Sequence, residues 1–203
     1  MHNFLLEIGT EELPPHFAIE AGPQLEKLVK LDLEHNRLNF NEIFCSSTPR
    51  RIVLIIYGLS AKAEDDIQDI KGPPYNKAFI DGVPTQAANG FARRFNLSAD
   101  QLDRIDTPKG PFTIARVVKK GNSARDILEL SIPLWIKGLQ GKRFMKWGQG
   151  DFRFSRPIRW IVSLLDENII SFNLNGFDDN VLPGNITRGS RLNQNLLKVS
   201  SVR

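Results

Sequence analysis

Between Lys142 and Trp160 the chain sets six cations, Lys142, Arg143, Lys146, Arg153, Arg156 and Arg159, against a single acid, Asp151, and interleaves them with Phe144, Trp147, Phe152, Phe154 and Trp160. Lys and Arg neutralise phosphates and release their counterions, and aromatic or guanidinium faces stack on unpaired bases. This mixture therefore suits RNA better than an acidic protein surface. The same residues also describe a solvated basic face over an aromatic core. Gly141, Gly148, Gly150 and Pro157 make the middle of the stretch a loop, where binding groups are commonly presented. The whole 203-residue chain has a formal net charge of +4, whereas this stretch alone carries +5, which leaves a body of −1.

Other reactive residue types are sparse. Glu7, Glu11 and Glu12 form the one acid cluster near a chain reversal, where paired carboxylates could hold a metal or move protons. Placement of Glu11 and Glu12 at the positive end of a helix dipole explains them more simply. His2, His16, His35 and Cys45 lack metal-ligand spacing, and no glycine-rich phosphate loop follows a strand. Cys45 lies in an apolar run and reads as a small core residue, with a Cys-His nucleophile pair as the alternative. No catalytic constellation and no metal site are expected.

A single cysteine excludes an internal disulfide, and the first residues lack the basic and long apolar regions of a secretory signal, so the expected location is cytoplasmic. The most apolar windows, Ile52 to Leu59 and Ile158 to Leu165, fall far short of the roughly 18 residues a membrane span needs. No membrane partner is expected.

The elements that must position these residues follow from pattern. With 41% hydrophobic and 25% charged residues the chain is an ordinary folded one. Phe4 to Ile8 reads as a strand, and Thr10 to Pro15 as a helix entry with a hydroxyl cap, early acids and first-turn prolines. The helix extends to about His35, kinked or divided at Gly22-Pro23. Ile43 to Ser47 and Ile52 to Leu59 make an antiparallel pair. Lys71 to Gly82 reads as a polar connection, Pro84 to Phe95 as a helix, and Ser98 with Gln101 as a capping box on a short one. Phe112 to Val118 reads as a strand, Ser123 caps a helix to about Lys137, and Ile158 to Leu165 pairs with Ile169 to Leu174 as a hairpin. The fold class is α+β, with mixed or antiparallel sheets and packed helices. Residues 1–186 form the expected domain, with 60–84 as the boundary should it divide into two lobes, and 187–203 begin a following region.

Several strings carry a resemblance: Glu7-Ile8-Gly9-Thr10-Glu11-Glu12-Leu13-Pro14-Pro15, Thr48-Pro49-Arg50-Arg51, Lys71-Gly72-Pro73, Phe91-Ala92-Arg93, Phe144-Met145-Lys146-Trp147-Gly148 and Phe154-Ser155-Arg156-Pro157. In order and rough spacing they resemble the β subunit of the bacterial tetrameric glycyl-tRNA synthetase. The likeness covers nearly all of this chain but only the N-terminal part of a longer family chain. It implies a glycine-tRNA ligase of two α and two β chains. In such an enzyme α activates glycine with ATP and Mg, while β serves tRNA(Gly) and carries no catalytic centre or cofactor in this region. The family's anticodon-binding and HD-type regions would lie beyond Arg203. The resemblance also implies a fold similar to the B3/B4-type domain of the phenylalanyl-tRNA synthetase β subunit. No base or nucleophile is present for the hydrolytic editing which that module performs. Where the family reads Arg-Gly-His-Arg-Phe, this chain has Arg188-Gly189-Ser190-Arg191-Leu192, so a role of that histidine does not transfer to Ser190.

The resemblance turns the expected polyanion into tRNA. Phosphate contacts then fall to Lys142, Arg143, Lys146, Arg153, Arg156 and Arg159, and stacking to Trp147. Arg50 and Arg51 are further candidates, whose alternative is pairing with acids across a hairpin. The competing reading is a structural module that docks the α chain and touches no RNA.

Overall fold

Strand β1 (His2–Thr10) is the middle of the larger sheet, and its alternation sends Phe4, Leu6 and Ile8 to one face and Leu5, Glu7 and Gly9 to the other. The computed structural model describes residues 1–147, 152–174, 181–189 and 195–202. They belong to two units: residues 1–64 with 122–203, and Asp65–Gly121 inserted between them.

Helix α1 (Pro15–His35) packs Phe17, Ala21, Leu25, Val29 and Leu33 onto the Phe4 face. Its N-cap is Pro14 and its first turn holds no acid, so the hydroxyl cap expected at Thr10 is corrected: β1 runs through Thr10. Of the two expected alternatives at Gly22-Pro23, division is absent, since one helix spans both residues. An interior proline costs about 3 kcal/mol, whereas each fully buried Leu or Val contributes about 1.5–3 kcal/mol, and the buried stripe continues on both sides of Pro23. Gly22 lies against Ser46 and Ser47 of β2 (Glu42–Thr48), where the Ser47 hydroxyl donates to the Ala18 carbonyl. Strand β3 (Arg51–Leu59) pairs antiparallel with β2 and with β1.

The inserted unit holds β4 (Asp66–Pro74), α2 (Tyr75–Ala78), the short pair β5 (Phe79–Ile80) and β6 (Val83–Pro84), α3 (Gln86–Arg93), β7 (Leu102–Thr107) and β8 (Gly110–Lys119). Its sheet is antiparallel in the order β4-β8-β7. The polar connection expected at Lys71 begins as strand, because Asp66 to Pro74 pairs with β8 despite lacking apolar alternation. Gly72 permits this: a β-carbon there would lie 2.4 Å from the Phe91 ring and 2.6 Å from Thr113 Oγ1. The Ser98 N–H donates to Gln101 Oε1 at 3.0 Å, so the capping box forms, on a single 3-10 turn.

Helix α4 (Ala124–Gly138) starts as expected, with Ser123 Oγ accepting the Asp126 N–H at 3.1 Å. It lies beside α1, and Trp135 Nε1 donates to Asp32 Oδ2 at 2.9 Å. A two-residue pair, β9 (Met145–Lys146) with β10 (Arg153–Phe154), precedes β11 (Ile158–Leu165). The expected hairpin partner shrinks to β12 (Asn168–Ile169). After it come β13 (Pro183–Gly184), parallel on β11, and the antiparallel pair β14 (Ile186–Arg188) and β15 (Leu196–Lys198). The large sheet runs β12-β11-β1-β3-β2, with α1 and α4 on one face. On the other face Leu5, Ile55, Trp160, Val162 and Leu164 meet Val199 and Val202. The fold class is α+β. Among the described residues no helix is long and apolar enough to cross a membrane.

The first and last described segments are tied at one turn. Asp166 accepts the Asn3 N–H at 2.8 Å and pairs with His2 Nδ1 at 2.6 Å, and its carbonyl accepts the Val202 N–H at 3.3 Å. Partial burial pushes its carboxyl up. The Asn3 N–H, His2 and the terminal amine together outweigh that, and the net shift is below the ordinary carboxylate range. A carboxylate depressed by folding contributes stability above its unfolded value and loses it as acid protonates it. Asp166→Asn should therefore lower the urea midpoint near neutral pH and converge with the parent below about pH 3. An equal gap at both pH values contradicts the tie.

Candidate functional site

On the second face of the large sheet the Glu7 carboxylate is only 7% exposed, and such a charge must be paired. Its Oε1 accepts the Trp160 indole N–H at 2.5 Å and the Thr187 hydroxyl, and Arg51 Nε lies 3.3 Å away. The Trp160 ring covers Gly9, where a β-carbon would stand 1.9 Å from it. The Arg51 and Arg188 guanidiniums sit 5.6 and 5.3 Å from that ring's centroid, and Arg51 Nη2 donates to the Arg188 carbonyl at 2.6 Å. Arg51 is thus committed to a carboxylate, a carbonyl and a ring.

Three distant loops meet beside this face. The Leu13 N–H donates to the Pro49 carbonyl at 2.6 Å, the Thr10 N–H to Arg50 at 2.9 Å, and the Glu11 N–H to Pro157 at 3.1 Å. They frame a cleft of about 500 Å³ lined by Glu11, Glu12, Arg50 and Arg156. Arg156 is oriented by bonds from Nε to the Glu12 carbonyl (3.1 Å) and Nη1 to the Ser155 carbonyl (3.3 Å), and Arg159 Nε donates to Glu11 Oε1 at 2.9 Å. Glu11 and Glu12 therefore face arginines and do not stand in the first turn of α1, which corrects the helix-dipole reading.

The basic aromatic stretch builds a second cleft, of about 580 Å³, lined by Lys137, Leu139, Gln140, Gly141, Phe144, Phe152 and Arg153. Its floor is an aromatic cluster in which Phe17, Phe144 and Phe154 lie with ring centroids 5.2–5.7 Å apart. Gly141 lets the chain pass over it, since a β-carbon there would meet Phe144 at 2.5 Å and Phe17 at 3.0 Å. Trp147 is half-buried against this core and its indole N–H donates to the Phe154 carbonyl at 2.9 Å, so the proposed stacking residue acts here as a packing residue. Lys142 and Arg143 occupy an exposed turn, with Arg143 at φ +60°, and Lys146 faces Arg153 across β9 and β10.

The nine sequence candidates thus sort into groups. Lys142, Arg143 and Arg153 are exposed and make no side-chain hydrogen bond or ion pair with a described residue, and Lys146 stands beside Arg153. Arg50 and Arg156 share the polar cleft, while Arg51 and Arg159 are held by Glu7 and Glu11. Sequence reasoning missed Lys137, an exposed cation in the last turn of α4 that belongs to the aromatic cleft. Its signal was present in helical position, since it ends the helix that feeds the basic stretch. Asp151 and Ser190 lie outside the described residues.

Among the described residues no group of three or more His, Cys, Asp or Glu could hold a metal ion. Burial, with Glu26 adding, pushes the Cys45 thiol up to about 12, so it stays protonated and packs against the core.

A family model described as the glycyl-tRNA synthetase beta subunit matches residues 4–203. The chain is 42% identical over 192 residues to the glycine–tRNA ligase beta subunit of Gloeothece citriformis, covering 95% of this chain and 27% of that protein. It is 39% identical over 201 residues to the corresponding subunit of Trichodesmium erythraeum, covering 98% and 28%. With the chloroplastic/mitochondrial glycine–tRNA ligase 2 of Arabidopsis thaliana it shares 35% over 190 residues, covering 93% and 17%. The chain thus spans about 27% of the length of the bacterial relatives it matches.

The Gly9 contact is a steric requirement that can be tested by adding one methyl. Gly9→Ala should cost about 1–3 kcal/mol by overpacking against Trp160. Gly90→Ala adds the same methyl in α3, where nothing lies within 4 Å, and should gain about 0.5–1 kcal/mol. Urea unfolding of both variants reads the difference, and equal effects would refute the contact.

Proposed function

Since the chain belongs to the glycyl-tRNA synthetase β-subunit family, we propose that it serves as part of a glycine–tRNA ligase, supplying tRNA contacts and subunit assembly rather than chemistry. Activation of glycine with ATP and Mg falls to an α partner, and a second β chain and a cytoplasmic setting complete the reading. The observation that supports it is the group of cations Lys137, Lys142, Arg143 and Arg153, which pair with no described residue, around an aromatic-floored cleft. Cations without acidic partners retain their full attraction for a polyphosphate backbone, and the half-buried Phe144 offers an apolar surface to an unpaired base. Arg51 and Arg159 have less to give, because their acids must first be abandoned.

A docking role is favoured by a different surface. Helix α4 turns Leu130 and Leu134, 72% and 64% exposed, to the same outer side one turn apart. The two roles are compatible and separable.

In the full α and β assembly, the logarithm of tRNA affinity should fall with the logarithm of salt, with a slope of about −0.7 to −0.9 per neutralised phosphate. Arg143→Ala and Arg153→Ala should each flatten that slope by about one unit and leave capture of the α chain unchanged. An unchanged slope in the double variant rejects the RNA role of this cleft. Loss of α capture in Leu130→Asp with Leu134→Asp supports docking through α4, and full capture rejects it.

A further inference from the structure

Strand β2 ends the large sheet with an open edge, and we propose that this edge joins a second copy of the chain, strand to strand and antiparallel, so that two sheets become one. The proposal deepens the reading above, on which the presence of a second β chain rests, by giving that chain a surface.

A strand edge presents a row of main-chain N–H and C=O groups, and the partner that satisfies such a row is another strand. All seven residues of β2 pair with β3 in regular register, and the main chain from Ile43 to Ser47 bonds no described residue outside β3. The other edges are short or defended. Strand β12, at the far side of the same sheet, has two residues. In the inserted unit β4 ends in Pro73-Pro74, and β7 carries Asp103, Arg104 and Asp106. Charges and prolines of this kind keep natural edges from pairing. After Glu42, β2 has neither: Ile43-Phe44-Cys45-Ser46-Ser47-Thr48 is uncharged, holds no proline and no bulge, and leaves Phe44 48% exposed.

The edge is complementary to itself. Antiparallel pairing about a two-fold axis at Cys45 sets Glu42 opposite Thr48 and Phe44 opposite Ser46 of the copy, with like faces together. It also brings Glu42 toward the copy's Arg50, one diagonal step further along. Neither the Glu42 nor the Arg50 side chain makes a hydrogen bond or ion pair with a described residue. The axis repeats the contact, so one pair of strands supplies two such ion pairs. A parallel copy in register would set Glu42 against Glu42 and Arg50 against Arg50, so charge fixes the antiparallel sense.

The test uses the full-length β chain without α, followed by sedimentation velocity over a concentration series and by amide hydrogen exchange. A reversible dimer of about micromolar affinity is expected, with the outward amides of β2 gaining protection as it forms. Phe44→Lys with Ser46→Lys puts charge on the edge and should weaken dimerisation at least about tenfold. Both side chains are exposed, so thermal unfolding of the monomer should not change. Glu42→Arg should weaken the dimer as well, and Glu42→Arg with Arg50→Glu should restore it, because the exchanged charges meet across the same axis. A monomer at every concentration, a dimer indifferent to the two lysines, or no rescue by the exchanged charges each overturns the proposal. So does a monomer whose outward β2 amides are already protected, because another segment then occupies the edge. Capture of α and the salt slope of tRNA binding should not change in the lysine variant, which separates failure of the dimer from failure of the tRNA role.

Discussion

A carboxylate enclosed in the second face of the large sheet is the constraint to which the rest of that unit answers. Glu7 sits on the central strand, so its partners must come from neighbouring strands: Arg51 from β3, Trp160 from β11 and Thr187 from β14. Removing any of them leaves a buried charge short of a partner, a defect that typically costs 3–5 kcal/mol when an ion pair is broken. The arrangement also dictates the glycine two residues on, because the indole that bonds Glu7 must lie flat over Gly9. Two arginines then flank the same ring, and one of them, Arg188, anchors the strand that follows the sheet. An opening string that reads as helix capping in one dimension is a polar knot with a steric slot in three.

Glycines opposite aromatics recur as a packing device. Gly72 lies against Phe91 within the inserted unit, and Gly141 against Phe144 in the larger one, as Gly9 lies against Trp160. One of these pairs, Gly72 with Phe91, joins two separate strings of the family resemblance. Their presence in the sequence has a plain physical cause: each glycine clears space for a ring supplied by another part of the chain. No catalytic role is needed to explain them.

The parts of the fold legible in the sequence are those governed by local rules. The short apolar runs marked β1 and β3, the Ser123 cap placed α4 correctly, and the α+β class followed from their mixture. What could not be read was set by tertiary contacts. Strand β4 is polar because its ladder with β8 supplies pairing and a cross-strand Arg116–Asp69 bond of 3.0 Å in place of apolar burial. Helix α1 survives its proline because a buried stripe on both sides outweighs one missing donor. For the site, composition located the basic stretch but could not sort it. Which arginine is neutralised depends on acids near residue 10, almost 150 positions away. Only geometry separates Arg153, which pairs with no described residue, from Arg159, held by Glu11.

The junction of the inserted unit bears on the order of folding. The Ala63 N–H donates to the Asn122 carbonyl and the Ala124 N–H to the Ala61 carbonyl, both at 2.9 Å, while the insert's own ends are joined where Gly121 N–H donates to Asp65 Oδ1 at 3.0 Å. Residues 65–121 thus enter and leave through one doorway. Drawing the ends of an unstructured segment of that length together costs about 3–4 kcal/mol in chain entropy. An insert that folds first has already met that cost, and presents α4 to the sheet as though the two were separated by a tight turn. The interruption is large in sequence and nearly invisible to the surrounding frame, which can assemble as if its chain were continuous.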